Sequence, residues 1–122
     1  MLEHRPEAAS AARRFAKAVM DQWQVGLDPT EGIVLAVSEL VTNAVEHANP
    51  PLALHLHREA QGGAIWVGVT DGGCTESEGA WTASRAADEH GRGLTIIDAL
   101  AVAHGVHTHD NGTTTHWARL PA

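Results

Sequence analysis

Glu39-Leu40-Val41-Thr42-Asn43-Ala44-Val45-Glu46-His47 decides how this chain is read. Glu39, Asn43 and His47 are spaced i, i+4, i+8, which on an α-helix brings a carboxylate, a carboxamide and an imidazole into one row. Leu40, Val41, Ala44 and Val45 fill the positions between them, so the helix is otherwise apolar. A helix that only packs against a sheet fills such a row with Leu, Ile or Val. Three polar groups there point to a polar ligand, because a polar side chain removed from water needs a partner.

Working outward, residues 7–24 carry Ala8, Ala12, Phe15, Ala16, Val19 and Trp23 at helical spacing, with Arg13, Arg14 and Lys17 on a solvated face. Gly26, Asp28 and Pro29 break that helix. Asp28 or Thr30 is placed to cap the next one, which runs to about Ala48 and stops before Asn49-Pro50-Pro51. Leu52, Leu54 and Leu56 alternate with Ala53, His55 and His57, and Ile65, Val67 and Val69 alternate with Trp66 and Gly68. Two half-buried strands joined through Gln61-Gly62-Gly63 follow from that period. From Asp71 to Arg92 periodicity is lost and glycines collect, giving a loop too long for a plain connector and suited to a lid. Leu94, Ile96, Ile97, Leu100 and Ala101 predict a helix. Strands near Ala103–His109 and Thr113–Leu120 follow, joined at Asp110-Asn111-Gly112. The expected architecture is a two-layer α/β sandwich: a mostly antiparallel sheet covered on one face by about three helices.

At 122 residues the chain makes a single domain, residues 1–122, with 1–6 as a short leader and 71–92 as the lid. No apolar run is long enough to span a bilayer, and no basic-then-apolar leader opens the chain, so a cytoplasmic protein with no membrane partner is expected. One cysteine, Cys74, makes no internal disulfide and agrees with a reducing compartment. Its thiol reads as small and buried rather than reactive, and Trp81 reads as a loop anchor. A net charge of −7 argues against a nucleic-acid surface, where Lys and Arg must neutralise phosphates. It favours a basic protein partner, or a metal that offsets the charge of a phosphate ligand.

Further segments carry chemistry. Val69-Thr70-Asp71-Gly72-Gly73 ends an apolar strand in an acid and two glycines, so a carboxylate there can accept a hydrogen bond from an exocyclic amine while the glycines admit a flat ligand. Alone, Asp-Gly-Gly reads as a turn. His90-Gly91-Arg92-Gly93-Leu94 lies where the loop becomes a helix, and free N–H groups at such a place suit a di- or triphosphate. Alone, it reads as a plain cap. Gly112-Thr113-Thr114-Thr115 opens the last strand, and a hydroxyl there supports Asp71 if the two strands are neighbours; Thr is also simply a good strand residue.

In this order the segments resemble the GHKL ATPase superfamily: Glu39 and Asn43 on a helix, Asp71 and Gly73 after a strand, a lid, Gly91 to Leu94 at a helix start, and Gly112-Thr113 on a closing strand. Within it, Ser38 to Ala48 and Gly91 to Leu94 most resemble the small stand-alone RsbW-like anti-sigma-factor serine kinases abundant in actinobacteria. The resemblance runs from about residue 8 to residue 120. It implies the Bergerat fold, with ATP and Mg²⁺ as cofactors. It implies Asn43 as the Mg²⁺ ligand that bridges to the phosphates, Glu39 as the general base, and His47 near the phosphates. It also implies Asp71 on the adenine amine with Gly73 beside the base, Thr113 as the supporting hydroxyl, and Gly91, Arg92, Gly93 and Leu94 around the phosphates. The implied partners are a sigma factor and a STAS-type anti-anti-sigma protein phosphorylated on Ser or Thr, with room for a homodimer.

The chain departs from the family in three places. Thr75 stands where relatives often have Gly or Pro. The leader is short, so an edge strand is expected to be absent or supplied by a partner. The lid is acidic, with Glu76, Glu78, Asp88 and Glu89 beside Arg85 and Arg92. A histidine-kinase reading is disfavoured, because the stretch before Glu39 is too short to add a two-helix phosphoacceptor hairpin. Two other readings stand beside the kinase. One is a nucleotide-binding adaptor without transfer. The other is a metal-binding protein that uses His55, His57, His107, His109 and His116, against which stands a merely His-rich, solvated sheet face.

Overall fold

The computed structural model describes residues 2–60, 63–73 and 96–122. Helix α1 is Ala8–Gln22 and helix α2 is Leu27–His47. A third helix, α3, is described over residues 96–100. The strands are β1 (Ala53–Arg58), β2 (Ile65–Asp71), β3 (Ala103–Thr108) and β4 (Thr114–Leu120). They form one antiparallel sheet in the order β1-β2-β4-β3, which is the expected two-layer sandwich.

Helix α1 buries Ala8, Ala12, Ala16 and Met20, and the small alanines among them let it lie close against α2. Helix α2 buries Ile33, Val34, Ala36, Val37, Leu40, Val41 and Ala44. Its N-cap is Gly26, with no side-chain cap bond, so neither Asp28 nor Thr30 caps it as expected. Asp28 lies in the first turn, where its charge meets the positive end of the helix dipole, and the Thr30 hydroxyl points back to the Val25 carbonyl. The sheet meets the helices through Ile65, Val67, Val69, Ala118 and Leu120, which alternate along two adjacent strands as period-2 burial requires. Ile97 of α3 completes this core.

The leader pairs with the sheet at one point. Leu2 and Leu52 form an isolated antiparallel bridge beside the open edge of β1. At the other end of the hairpins, Gly112 has a φ of 90°, and the Asn111 side-chain oxygen accepts hydrogen bonds from both the N–H and the hydroxyl of Thr113. Strand β4 therefore starts at Thr114. Among the described residues no helix is long and apolar enough to cross a membrane.

Candidate functional site

The Glu39, Asn43, His47 row lies on the flank of the buried face of α2, and all three side chains are half-buried. At 100° per residue the row sits about a quarter turn from the line through Ile33, Val37 and Ala44. The three residues are thus neither core nor fully solvated. The carboxamide and carboxylate of Asn43 and Glu39 are oxygen donors, the set that suits a hard cation such as Mg²⁺.

Helix α2 is fastened to the end of β2 just beyond that row. The Asn49 N–H donates to the Gly73 carbonyl at 2.8 Å, and the Gly72 N–H donates to the Asn49 carbonyl at 2.7 Å. Gly72 is required by this contact, since a Cβ there would stand 2.2 Å from the Pro50 carbonyl oxygen. Gly73 has a φ of 99°, in the left-handed region, and a Cβ on it would meet the Gly112 carbonyl oxygen at 3.0 Å. The Asp-Gly-Gly turn is therefore wedged between the end of α2 and the β3–β4 turn.

Asp71 is 2% exposed at the end of β2. Its Oδ1 accepts the Gly73 N–H at 2.8 Å. Its Oδ2 is buried and has no hydrogen-bond partner among the described residues. A buried carboxylate oxygen left unpaired is costly, and such groups are rare in folded proteins without a reason. Burial raises the Asp71 pKa, opposed by the Gly73 N–H and by the charge on His4. His4 itself reaches the end of α2, with its Nε2 on the Ala48 carbonyl oxygen. A buried carboxylate oxygen with no hydrogen-bond partner among the described residues is able to accept a hydrogen bond from a ligand N–H.

Strands β2 and β4 are neighbours, but the register partner of Asp71 is Thr114, whereas the Thr113 hydroxyl donates to Asn111 at 2.7 Å. Thr113 is spent on the hairpin turn, and the alternation of β4 puts Thr114 on the face of Asp71. His116, read at first only as one of several sheet histidines, lies on that same face at 8% exposure, with Nε2 3.6 Å from Asp71 Oδ2. Its signal was present in the sequence, since period 2 groups it with Ala118 and Leu120 on the buried face. Asn49 gave no such signal, because its part is played by backbone groups.

Gly91, Arg92, Gly93 and Leu94 lie outside the described residues, as do His90, Cys74, Thr75, Trp81 and the lid charges Glu76, Glu78, Arg85, Asp88 and Glu89. His55, His57, His107 and His109 fall on the opposite, outer face. There His55 bonds the Thr70 hydroxyl, Thr70 bonds Thr115, and His109 also bonds Thr115. His116 is separated from them by the sheet. Among the described residues no group of three or more His, Cys, Asp or Glu is placed to hold a metal ion. A groove between α1 and α2, lined by Arg13, Lys17, Val34, Leu35 and Ser38, shares no residue with the set around Asp71.

Comparison with known proteins places these features. The family profile of the histidine kinase-like ATPase domain matches residues 2–118. Among solved structures, the histidine kinase domain of the blue-light activated histidine kinase from Erythrobacter litoralis EL346 is similar, with a TM-score of 0.60 at 19% identity. The match covers 99% of this chain and 65% of that one, so this chain spans slightly less than two thirds of the other's length. At that identity the likeness is one of fold. No curated protein matches the sequence.

Proposed function

This chain belongs to the histidine kinase-like ATPase domain family, and we propose that it is an ATP-binding serine/threonine protein kinase of the anti-sigma-factor type. In this reading it is a cytoplasmic protein that holds a sigma factor and phosphorylates a STAS-type anti-anti-sigma antagonist. The observation that carries nucleotide binding is the buried Oδ2 of Asp71 beside Gly73, which has no hydrogen-bond partner among the described residues. The finer assignment to anti-sigma-factor kinases rests on the likeness of Ser38 to Ala48 to that group.

Each residue then has a task its chemistry suits. Asp71 accepts the adenine amine at Oδ2, and Gly73 keeps Cβ atoms away from the ring. Thr114, opposite Asp71, takes the supporting position first assigned to Thr113. Asn43 holds Mg²⁺ through its carboxamide oxygen. Glu39, one turn earlier, receives the proton of the attacking hydroxyl, and His47 stands at the phosphate end of the row. Gly91, Arg92, Gly93 and Leu94 supply N–H groups and one positive charge to the phosphates. Mg²⁺, when bound, neutralises charge on the phosphate oxygens, and positioning does most of the remainder in phosphoryl transfer.

Calorimetric titration of Mg-ATP into the wild type, Asn43→Ala and Asp71→Asn tests the binding step. Micromolar to submillimolar affinity in the wild type and a clear loss in both variants are expected. No heat at millimolar nucleotide removes the proposal. Transfer is tested by incubating Mg-ATP and the protein with STAS-type antagonists encoded in the same genome. Binding without phosphorylation of any of them favours the adaptor.

A further inference from the structure

His116 is placed where a strand facing the core normally carries Val, Ile or Phe. Its register partners are Val69 on β2 and Val106 on β3, and Ala118 and Leu120 follow it on the same face. The charged group within reach is diagonal to it. Asp71 lies two residues beyond Val69 on β2, and its Oδ2 is 3.6 Å from His116 Nε2. That is just beyond a hydrogen bond to a neutral ring, and within the range over which an imidazolium is drawn onto a carboxylate to form a shorter, charge-assisted bond.

We propose that His116 competes with the adenine amine for Oδ2 of Asp71, so that adenine-nucleotide affinity is weakened by protons. This rests on the nucleotide reading of the site. With the ring neutral, Oδ2 is available to the amine. Protonated, the ring donates to Oδ2 and the amine loses its acceptor. Linkage requires the reverse as well, so a bound nucleotide promotes release of the proton from His116. Histidine is the side chain whose charge ordinarily changes between pH 5 and 8, which places the effect in a range cells visit. His116 is a positioning residue here: it acts through Asp71 and reacts with nothing.

Other titratable groups lie near this carboxylate. His4 of the leader acts on Asp71 electrostatically while its Nε2 is engaged by the Ala48 carbonyl. The last turn of α2, tied to Gly72 and Gly73 through Asn49, carries the exposed Glu46 and the half-buried His47. Asp71 can itself take up a proton in acid. The test therefore compares variants at each pH rather than reading one profile.

The dissociation constant for Mg-ADP is measured from pH 8 to pH 5.5 in the wild type, His116→Val, His116→Gln and His4→Gln, with folding checked by circular dichroism. Between these limits the wild-type constant is expected to rise several-fold more than that of His116→Val. His116→Gln keeps an N–H donor at every pH, so it binds weakly and without the acid limb. His4→Gln keeps the wild-type limb. Parallel profiles for the wild type and His116→Val overturn the proposal. If the wild type binds no nucleotide, the kinase reading falls, and the pairing is decided separately by the proton NMR titration of the His116 ring. A midpoint that moves on Asp71→Asn supports the pairing, and an unmoved midpoint ends it.

Discussion

Asp71 works against the fold that holds it. It is buried, its Oδ2 has no hydrogen-bond partner among the described residues, and burial raises its pKa, against the opposing Gly73 N–H and His4 charge. The native carboxyl therefore binds its proton more tightly than the unfolded one does. Between the ordinary value of 3.8 and the raised one, the native state holds more protons than the unfolded state, and stability falls as pH rises through that window. Above that window the ionised group is a net destabiliser. Asp71→Asn should thus melt higher than the wild type at pH 7, with the gap closing below the ordinary carboxyl pKa, as followed by scanning calorimetry. The same variant should bind ATP about 10–100-fold more weakly, the worth of one hydrogen bond to a charged acceptor. A lower melting temperature with unchanged affinity would show that Asp71 is an ordinary structural acid. The end of β2 at Asp71 and the turn through Gly72 and Gly73 were legible in the sequence, because an acid and glycines at a strand end form a local pattern. That Thr114 lies opposite Asp71, and that His116 comes within 3.6 Å of it, was not, since both depend on which residue of β4 faces which residue of β2. Register is fixed by the turn at Asn111 and by the core, not by any short motif.

At the level of elements, two fastenings join parts of the fold that the sequence keeps apart. One is the clamp in which Asn49 exchanges hydrogen bonds with Gly72 and Gly73, joining the end of α2 to the end of β2. Gly72→Ala puts a methyl into the Pro50 carbonyl, a backbone atom that cannot swing aside as a side chain would. The expected loss is about 3 kcal/mol, at the upper end of overpacking, read by chemical denaturation. Gly105→Ala makes a useful comparison: its Cβ meets only the Trp117 ring, at 2.9 Å, which can tilt, so a smaller loss is expected. The second fastening is Glu59, which accepts hydrogen bonds from Arg119 at 2.6 and 3.0 Å and another from the Trp66 indole. Chiefly through Arg119, and then Trp66, its pKa is lowered to about 2 from 4.5. Its contribution is full above the unfolded value and is lost as pH falls from about 4.5 toward 2. Glu59→Gln should flatten that part of the curve of melting temperature against pH, modestly because the pair is partly solvated. An acid limb identical to the wild type's would assign the decline to other carboxylates. The helices and strands themselves were readable, since 3.6-residue and 2-residue periods report which faces are buried. Both fastenings were invisible in the sequence, being built from backbone groups and from residues 60 positions apart.

For the whole molecule the question is how a chain of net charge −7 would hold the polyphosphate of the proposed ligand. Asp71, Glu39 and the last turn of α2 with Glu46 add negative charge around the proposed site, and Arg92 is the cation that the sequence offers toward the phosphates. Without a counterion the long-range field opposes the ligand, and interactions of this kind persist over about 8–10 Å at moderate salt. Mg²⁺ is therefore expected to be a condition of binding. The protein itself reports this, because a ligand that binds only the folded state stabilises it by mass action, about 2.7 kcal/mol at 100 times the dissociation constant. For a domain of this size that corresponds to a rise of about 10 °C in melting temperature. Mg-ADP should produce such a rise in the wild type, ADP with EDTA little or none, and Mg-ADP with Asn43→Ala a rise close to the EDTA value. Raising the salt should narrow the difference between the magnesium and EDTA curves, since screening weakens the repulsion that the ion otherwise offsets. If ADP with EDTA stabilises the wild type as much as Mg-ADP does, the row on α2 is not a cation site. The adenine end around Asp71 would then have to carry the binding alone.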